Sequence, residues 1–233
     1  MFSENNRPAA GFTLVELLIA LAVGSIILAG VISAYTVLSD QTKRMGQAAY
    51  IHESGRSLIA LMARDIRMAG FVWIDDKVNK TYGDIATPLE ITDSGSRCCD
   101  SIKVVFDKHH ESSGAIDRYR ITYYVSPYSS SKGTRNRLFK KTELLGTSGI
   151  LLSAPRILLS GPAADYVDDL QFEQTNEVSN KVVHVALLLR GDKEQSRVTT
   201  LSKQSYMKGN WNYSFSDKYL RERFATTVAI RNL

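Results

Sequence analysis

The chain has 233 residues, 44% hydrophobic and 23% charged, a composition that excludes a disordered polymer and leaves room for one sizeable core, or a modest core plus an extended element. Its formal net charge of +5 is the balance of 29 basic and 24 acidic residues mixed along the sequence, so no concentrated field makes nucleic acid the expected partner. The two cysteines, Cys98 and Cys99, are adjacent and cannot alone build the multi-thiolate centre of a zinc or iron–sulfur protein, so no metal site and no cofactor are expected.

The first element is a polar segment, residues 1–11, which carries Arg7 and ends at Gly11. An apolar stretch follows at once, and from Leu17 to Ser39 it holds no charged residue, which is enough for a helix to cross a bilayer. No second run of this kind exists, so a single anchor is expected. An ordinary secretory signal places its cleavage site beyond the apolar stretch. Here the order is reversed, and a cut at Gly11 would leave the apolar helix in the mature chain. One carboxylate, Glu16, is set into that stretch. An ionised side chain in hydrocarbon costs at least about 2.5 kcal/mol, so it requires a partner or a purpose, unless Glu16 sits near the interface of a plain anchor; the positive end of the helix dipole offsets only about 1 kcal/mol or less.

The run Gly11-Phe12-Thr13-Leu14-Val15-Glu16, followed by Leu17-Leu18-Ile19-Ala20-Leu21, resembles the class III signal of type IV pilins and type II secretion pseudopilins. The resemblance implies a prepilin peptidase substrate cut between Gly11 and Phe12, N-methylation of the new Phe12 amine, and pairing of Glu16 with that amine on a neighbouring subunit. Such a pair would compensate two buried charges and set the register of assembly. It also implies an N-terminus in the cytoplasm and a head in the periplasm, then residence in the pilus at the cell surface. The positive-inside count does not supply this orientation, since Lys43, Arg44 and Arg56 follow the span and only Arg7 precedes it.

Between Phe12 and Ala69 there is no proline, which allows one long helix of roughly 87 Å at about 1.5 Å per residue. Residues 12–39 form its transmembrane half. Residues 40–70 form an amphipathic half, with Ile51, Leu58, Met62 and Ile66 on one stripe, Ile59 widening it, and Arg56, Arg64, Asp65 and Arg67 on other faces. Gly70 is a natural stop. The segment from Arg64 to Phe71 resembles the stem-to-head junction of PilW-type minor pilins.

Beyond Gly70, residues 71–233 read as a globular head. Alternation predicts strands at 102–106 and 119–125, with further strands at 137–142, 167–173, 182–189 and 226–231; the 182–189 run is apolar enough to be central. Turn-rich loops are predicted at 93–96 and 126–133. The expected fold is α+β and pilin-like, a long N-terminal helix packed against a mainly antiparallel β-sheet head. The ending from Thr227 to Leu233 resembles that of PilW-type minor pilins and of the J-type pseudopilin.

The remaining constellations are weak. Cys98 and Cys99, in an oxidising compartment, read as a vicinal disulfide, an intersubunit bond or two free thiols. His109, His110 and Glu111 sit in a hairpin loop. Asp165, Asp168 and Asp169 lack the ligand order of a calcium loop. Arg190-Gly191-Asp192 reads as a turn after a strand. The basic and aromatic stretch from Lys203 to Phe224 fits a core cover with solvated charges better than a stacking surface for bases or sugars. No phosphate loop, nucleophile elbow or metalloprotease motif is present, so an enzyme is not expected.

The sequence thus resembles that of a minor pilin which helps to prime type IV pilus assembly in a tip complex, with the other minor pilins and the major pilin as partners and the inner membrane as its first location. Twitching motility and cell adhesion would follow from that role. The alternatives are a J-type pseudopilin of type II secretion and a tip module for adhesion or DNA uptake.

Overall fold

The computed structural model describes residues 11–75, 79–95, 98–130, 133–177, 180–201 and 215–232, and these divide into two compact units at Met45 and Gly46. Helix α1, Leu14–Arg67, contributes to both, uninterrupted because no proline removes a backbone donor. In the first unit its side chains from Leu14 to Leu38 stand exposed, with Ile26 at 72% and Tyr35 at 70%. Among the described residues this is the one helix long and apolar enough to cross a membrane.

In the second unit α1 turns Ile51, Leu58, Met62 and Ile66 inward, the stripe that the helical period predicts. Gly55 lies on the same face, four residues after Ile51, and a Cβ there would run into the ring of Phe224. Asp65 is a correction: it is not on an outer face but 4% exposed. The helix closes with tighter bonds, Met68 N–H to Asp65 O and Ala69 N–H to Ile66 O. Gly70 then adopts φ +76° and donates its N–H to Val105 O at 3.0 Å, which turns the chain towards the sheet.

Ten strands follow. β1 (Ile74–Asp75) and β2 (Asn79–Lys80) form a short antiparallel pair. β3 (Leu89–Thr92), β4 (Ser101–His109), β5 (Ile116–Ser130), β6 (Gly133–Thr147) and β7 (Ile150–Asp165) form a five-stranded antiparallel sheet in chain order. β8 (Val167–Glu177), β9 (Asn180–Leu201) and β10 (Phe215–Ile230) form a three-stranded antiparallel sheet with β9 at its centre. Tyr166, at φ +61°, is the corner where the chain leaves one sheet for the other, and its carbonyl accepts the N–H of Arg190. One core joins the inward stripe of α1 to Ile102, Val104 and Tyr123 of the larger sheet and to Leu170, Val185, Leu187 and Val228 of the smaller.

The architecture is α+β, a long N-terminal helix with antiparallel sheets, and the head holds two main sheets rather than one. β7 is not among the predicted strands. Pro155 and Pro162 interrupt its sequence, and an edge position tolerates them because one side of the strand has no ladder to feed. The predicted loop at 126–133 is mostly ladder, with Ser126 opposite Arg137 and Tyr128 opposite Arg135. The Arg190-Gly191-Asp192 run is not a turn but part of β9, opposite a stretch of β10 whose register is irregular. Residues 96 and 97 of the 93–96 loop and its neighbourhood lie outside the described residues, as do residues 1–10.

Candidate functional site

The N-terminus of α1 is built by two side chains. Thr13 precedes the first helical residue; its hydroxyl accepts the Glu16 N–H at 3.2 Å, while Glu16 Oε2 accepts the Thr13 N–H at 2.9 Å and the Thr13 hydroxyl at 3.0 Å. This reciprocal arrangement is a capping box, which satisfies donors that every helix start leaves open. Its signature, Thr-x-x-Glu before an apolar run, is present in the sequence, where Glu16 reads only as an acid in need of an outside partner. Glu16 therefore has a local partner within its own chain. Phe12 lies just outside the helix at 91% exposure, and a Cβ at Gly11 would meet nothing within 4 Å. Among the described residues no packing constraint explains a glycine at position 11.

Residues 6–32 match the family model described as Prokaryotic N-terminal methylation motif. The chain carries a type IV pilin-like prepilin signal. That signal supports a type IV pilin-like or pseudopilin-like protein, with an apolar helix suited to single-pass anchoring. No curated protein and no solved structure matches the chain.

In the head, the apolar helix-to-sheet junction also carries an electrostatic contact. Asp65 Oδ2 accepts the hydroxyl of Tyr123 at 2.7 Å and the ammonium of Lys140 at 2.6 Å, and its Oδ1 lies 3.4 Å from Arg64 Nε. Tyr123 is fully buried, and burial, followed by the charge of Asp65, pushes its hydroxyl well above the usual tyrosine range. A second buried pair sits directly across β4 and β5: Arg118 donates to Asp107 from Nε at 2.6 Å and from its terminal nitrogen at 3.1 Å, and Asp107 also accepts the N–H of Trp73. Neither group was singled out from sequence. An isolated acid in an amphipathic helix and an alternating charge in a strand look solvated until the fold is known.

The other predicted groups separate. Asp165 pairs with Arg137, and Asp168 with Arg221 at 2.5 Å. Asp169 is fully buried, and burial pushes its carboxyl up to about 6. His109 stacks on Trp73 while His110 lies 3.1 Å from Asp117, so His109, His110 and Glu111 do not converge. Cys98 and Cys99 are joined to each other. Lys203, Tyr206, Lys208, Trp211 and Tyr213 of the basic and aromatic stretch lie outside the described residues. Among its described members, Arg221 is held by Asp168 and Asp217, and Tyr219 lies under the guanidinium of Arg190 at 4.5 Å.

One surface stands out. Edge strand β7 exposes Ile150 at 70%, Leu151, Ile157, Leu158 and Leu159, so apolar side chains point outward from both of its faces. Edges with that character are otherwise blunted by charge or cover, and here Arg156 and the two prolines are the protection that the strand itself supplies.

Proposed function

We propose that this chain is a PilW-like minor pilin that takes part in priming type IV pilus assembly in a complex with other minor pilins. The reading is carried by the methylation motif at residues 6–32, set at the start of a helix that exposes apolar side chains on every side from Leu17 to Leu38. Such a helix needs lipid, or copies of itself, as its solvent. In this account residues 1–11 are a leader removed by prepilin peptidase after Gly11, and Phe12 becomes the methylated N-terminus. Residues 12–39 span the inner membrane with the head outside, and residues 40–70 carry the head, residues 71–233.

Glu16 then has two partners in succession. In the free subunit Thr13 holds it; in the filament the Phe12 amine of a neighbour takes its charge and fixes the axial register. The apolar β7 edge fits a contact between heads, where stems packed side by side raise the local concentration of neighbours and make a small patch sufficient.

The test is Glu16→Ala expressed from the native locus. The proposal expects a normally processed, membrane-inserted protein with a severe loss of surface pili, restored by the wild type. Normal piliation in that variant refutes the role of Glu16. Loss of type II secretion with pili intact on deletion of the whole chain assigns it to a pseudopilus instead.

A further inference from the structure

The chain from Cys98 to Asp100 leads into β4 and is held against β8 of the other sheet. Asp100 N–H donates to Leu170 O at 2.8 Å, and Phe172 N–H donates to the Asp100 carboxylate at 2.9 Å. The same carboxylate accepts the N–H of Ser94 at 2.8 Å, so the clamp is closed from both sides. It sets the two cysteines over the start of β8, where the register against β9 slips by one residue between Val167 and Asp169. Slips of this kind re-aim side chains. Here Asp168 faces Arg221, and Asp169 faces the interior at 0% exposure.

Asp169 Oδ1 accepts the Leu170 N–H at 2.7 Å and the Gln171 side-chain amide at 2.9 Å, whereas the buried Oδ2 has no hydrogen-bond partner. A buried carboxylate oxygen without a donor is costly and calls for a positive partner. The ligand atoms of Cys98, Cys99 and Asp169 all lie within 4.8 Å of one another. Counting sulfur ligands along the sequence could not include Asp169, which the fold alone brings to the cysteines.

We propose that, once the Cys98–Cys99 disulfide is opened, the two thiolates and the Asp169 carboxylate bind a thiophilic divalent cation of the zinc class. The disulfide is reduced by an external dithiol, which leaves as its own disulfide; two electrons and two protons pass to Cys98 Sγ and Cys99 Sγ. Binding of the cation then releases both thiol protons to solvent, and the metal keeps its oxidation state. Two sulfurs and one oxygen favour zinc or cobalt over calcium, which prefers oxygen throughout. Cys98 and Cys99 are only half-buried, so water reaches the remaining coordination position. The bound ion adds a metal-mediated tie between the lead-in to β4 and β8, beside the two Asp100 hydrogen bonds that already join them.

The test uses the full chain in detergent, reduced with a phosphine, freed of it without air, and titrated with Co²⁺ alone. The expected result is one cobalt per chain with a thiolate-to-cobalt charge-transfer band, no band for the unreduced protein, and affinity lower by at least roughly tenfold in Asp169→Asn. X-ray absorption of the Zn²⁺ form of the reduced wild type is expected to show two sulfurs at about 2.3 Å and lighter ligands at about 2.0 Å, a reading that needs no variant. The proposal is overturned by absence of the band in the reduced wild type, by equal binding before and after reduction, by undiminished affinity in Asp169→Asn, or by a metal shell without sulfur.

Discussion

From Leu14 to Leu38 the apolar side chains of α1 face outward, whereas from Ile51 to Ile66 the apolar stripe of the same helix is buried, and the acids Glu16 and Asp65 differ in the same direction. Glu16 is exposed and satisfied by its neighbour Thr13, three residues away. Asp65 is buried and satisfied by Tyr123 and Lys140, distant in sequence. The difference teaches what each region depends on. The second unit finds its partners within the chain. The first unit keeps only a local cap, and its apolar surface makes physical sense in lipid or against other helices.

The sharpest way to break this comparison is at the boundary of the leader. Gly11→Ala meets none of the described residues, so the head should keep its stability while processing fails and surface pili fall to background. Immunoblot mobility together with pilus counts reads both outcomes. A processed, piliated variant removes the claim that this glycine serves a peptidase.

Next in size is the buried acid of the second unit. Asp65→Ala leaves the Lys140 ammonium and the Tyr123 hydroxyl without their acceptor, and we expect a loss of about 3–5 kcal/mol in urea unfolding. A change below about 1 kcal/mol would mean that the junction holds by apolar packing alone. Gly55→Ala is expected to cost about 1–3 kcal/mol by overpacking against Phe224, and Phe224→Leu in the same chain should recover part of it. Strict additivity of the two changes would show that they do not meet.

On the exposed edge the expectation is reversed. Leu158→Lys in β7 should alter stability by no more than about 0.5 kcal/mol, yet lower the number of surface pili. Unchanged pilus numbers would free the edge from any role between heads. The smallest effect concerns pH. Hydrogen bonds from Arg221 hold the Asp217 carboxyl below the usual range. Its folded pKa is thus depressed, and its contribution is present at neutral pH and lost as pH falls through that lowered value. In Asp217→Asn the acid limb of the stability profile should become slightly shallower, and an identical limb would show that the pair is screened by solvent.

Much of this molecule was legible in the sequence where one physical signal dominated. The uncharged run from Leu17 to Ser39 and the stripe of Ile51, Leu58, Met62 and Ile66 state their environments through length and period alone. β9 was readable for the same reason, because Val182 to Leu189 is apolar without alternation. What escaped depended on partners. β7 was hidden by Pro155 and Pro162, which are tolerable only because the strand is an edge. Asp65, Asp107 and Asp169 look like ordinary surface acids until the fold delivers Lys140, Arg118 and the cysteines to them. The Thr13–Glu16 cap is legible as Thr-x-x-Glu before an apolar run, but an acid within such a run points equally to a partner outside the chain.

The central claim is that the chain matures at Gly11 and enters a filament through the helix that follows. The most direct measurement is the intact mass of the wild-type protein recovered from sheared surface pili. The account predicts a species that begins at Phe12 and carries one additional methyl group on its N-terminal amine. A protein that retains residues 1–11, or one confined to the membrane fraction and absent from the pili, would contradict it.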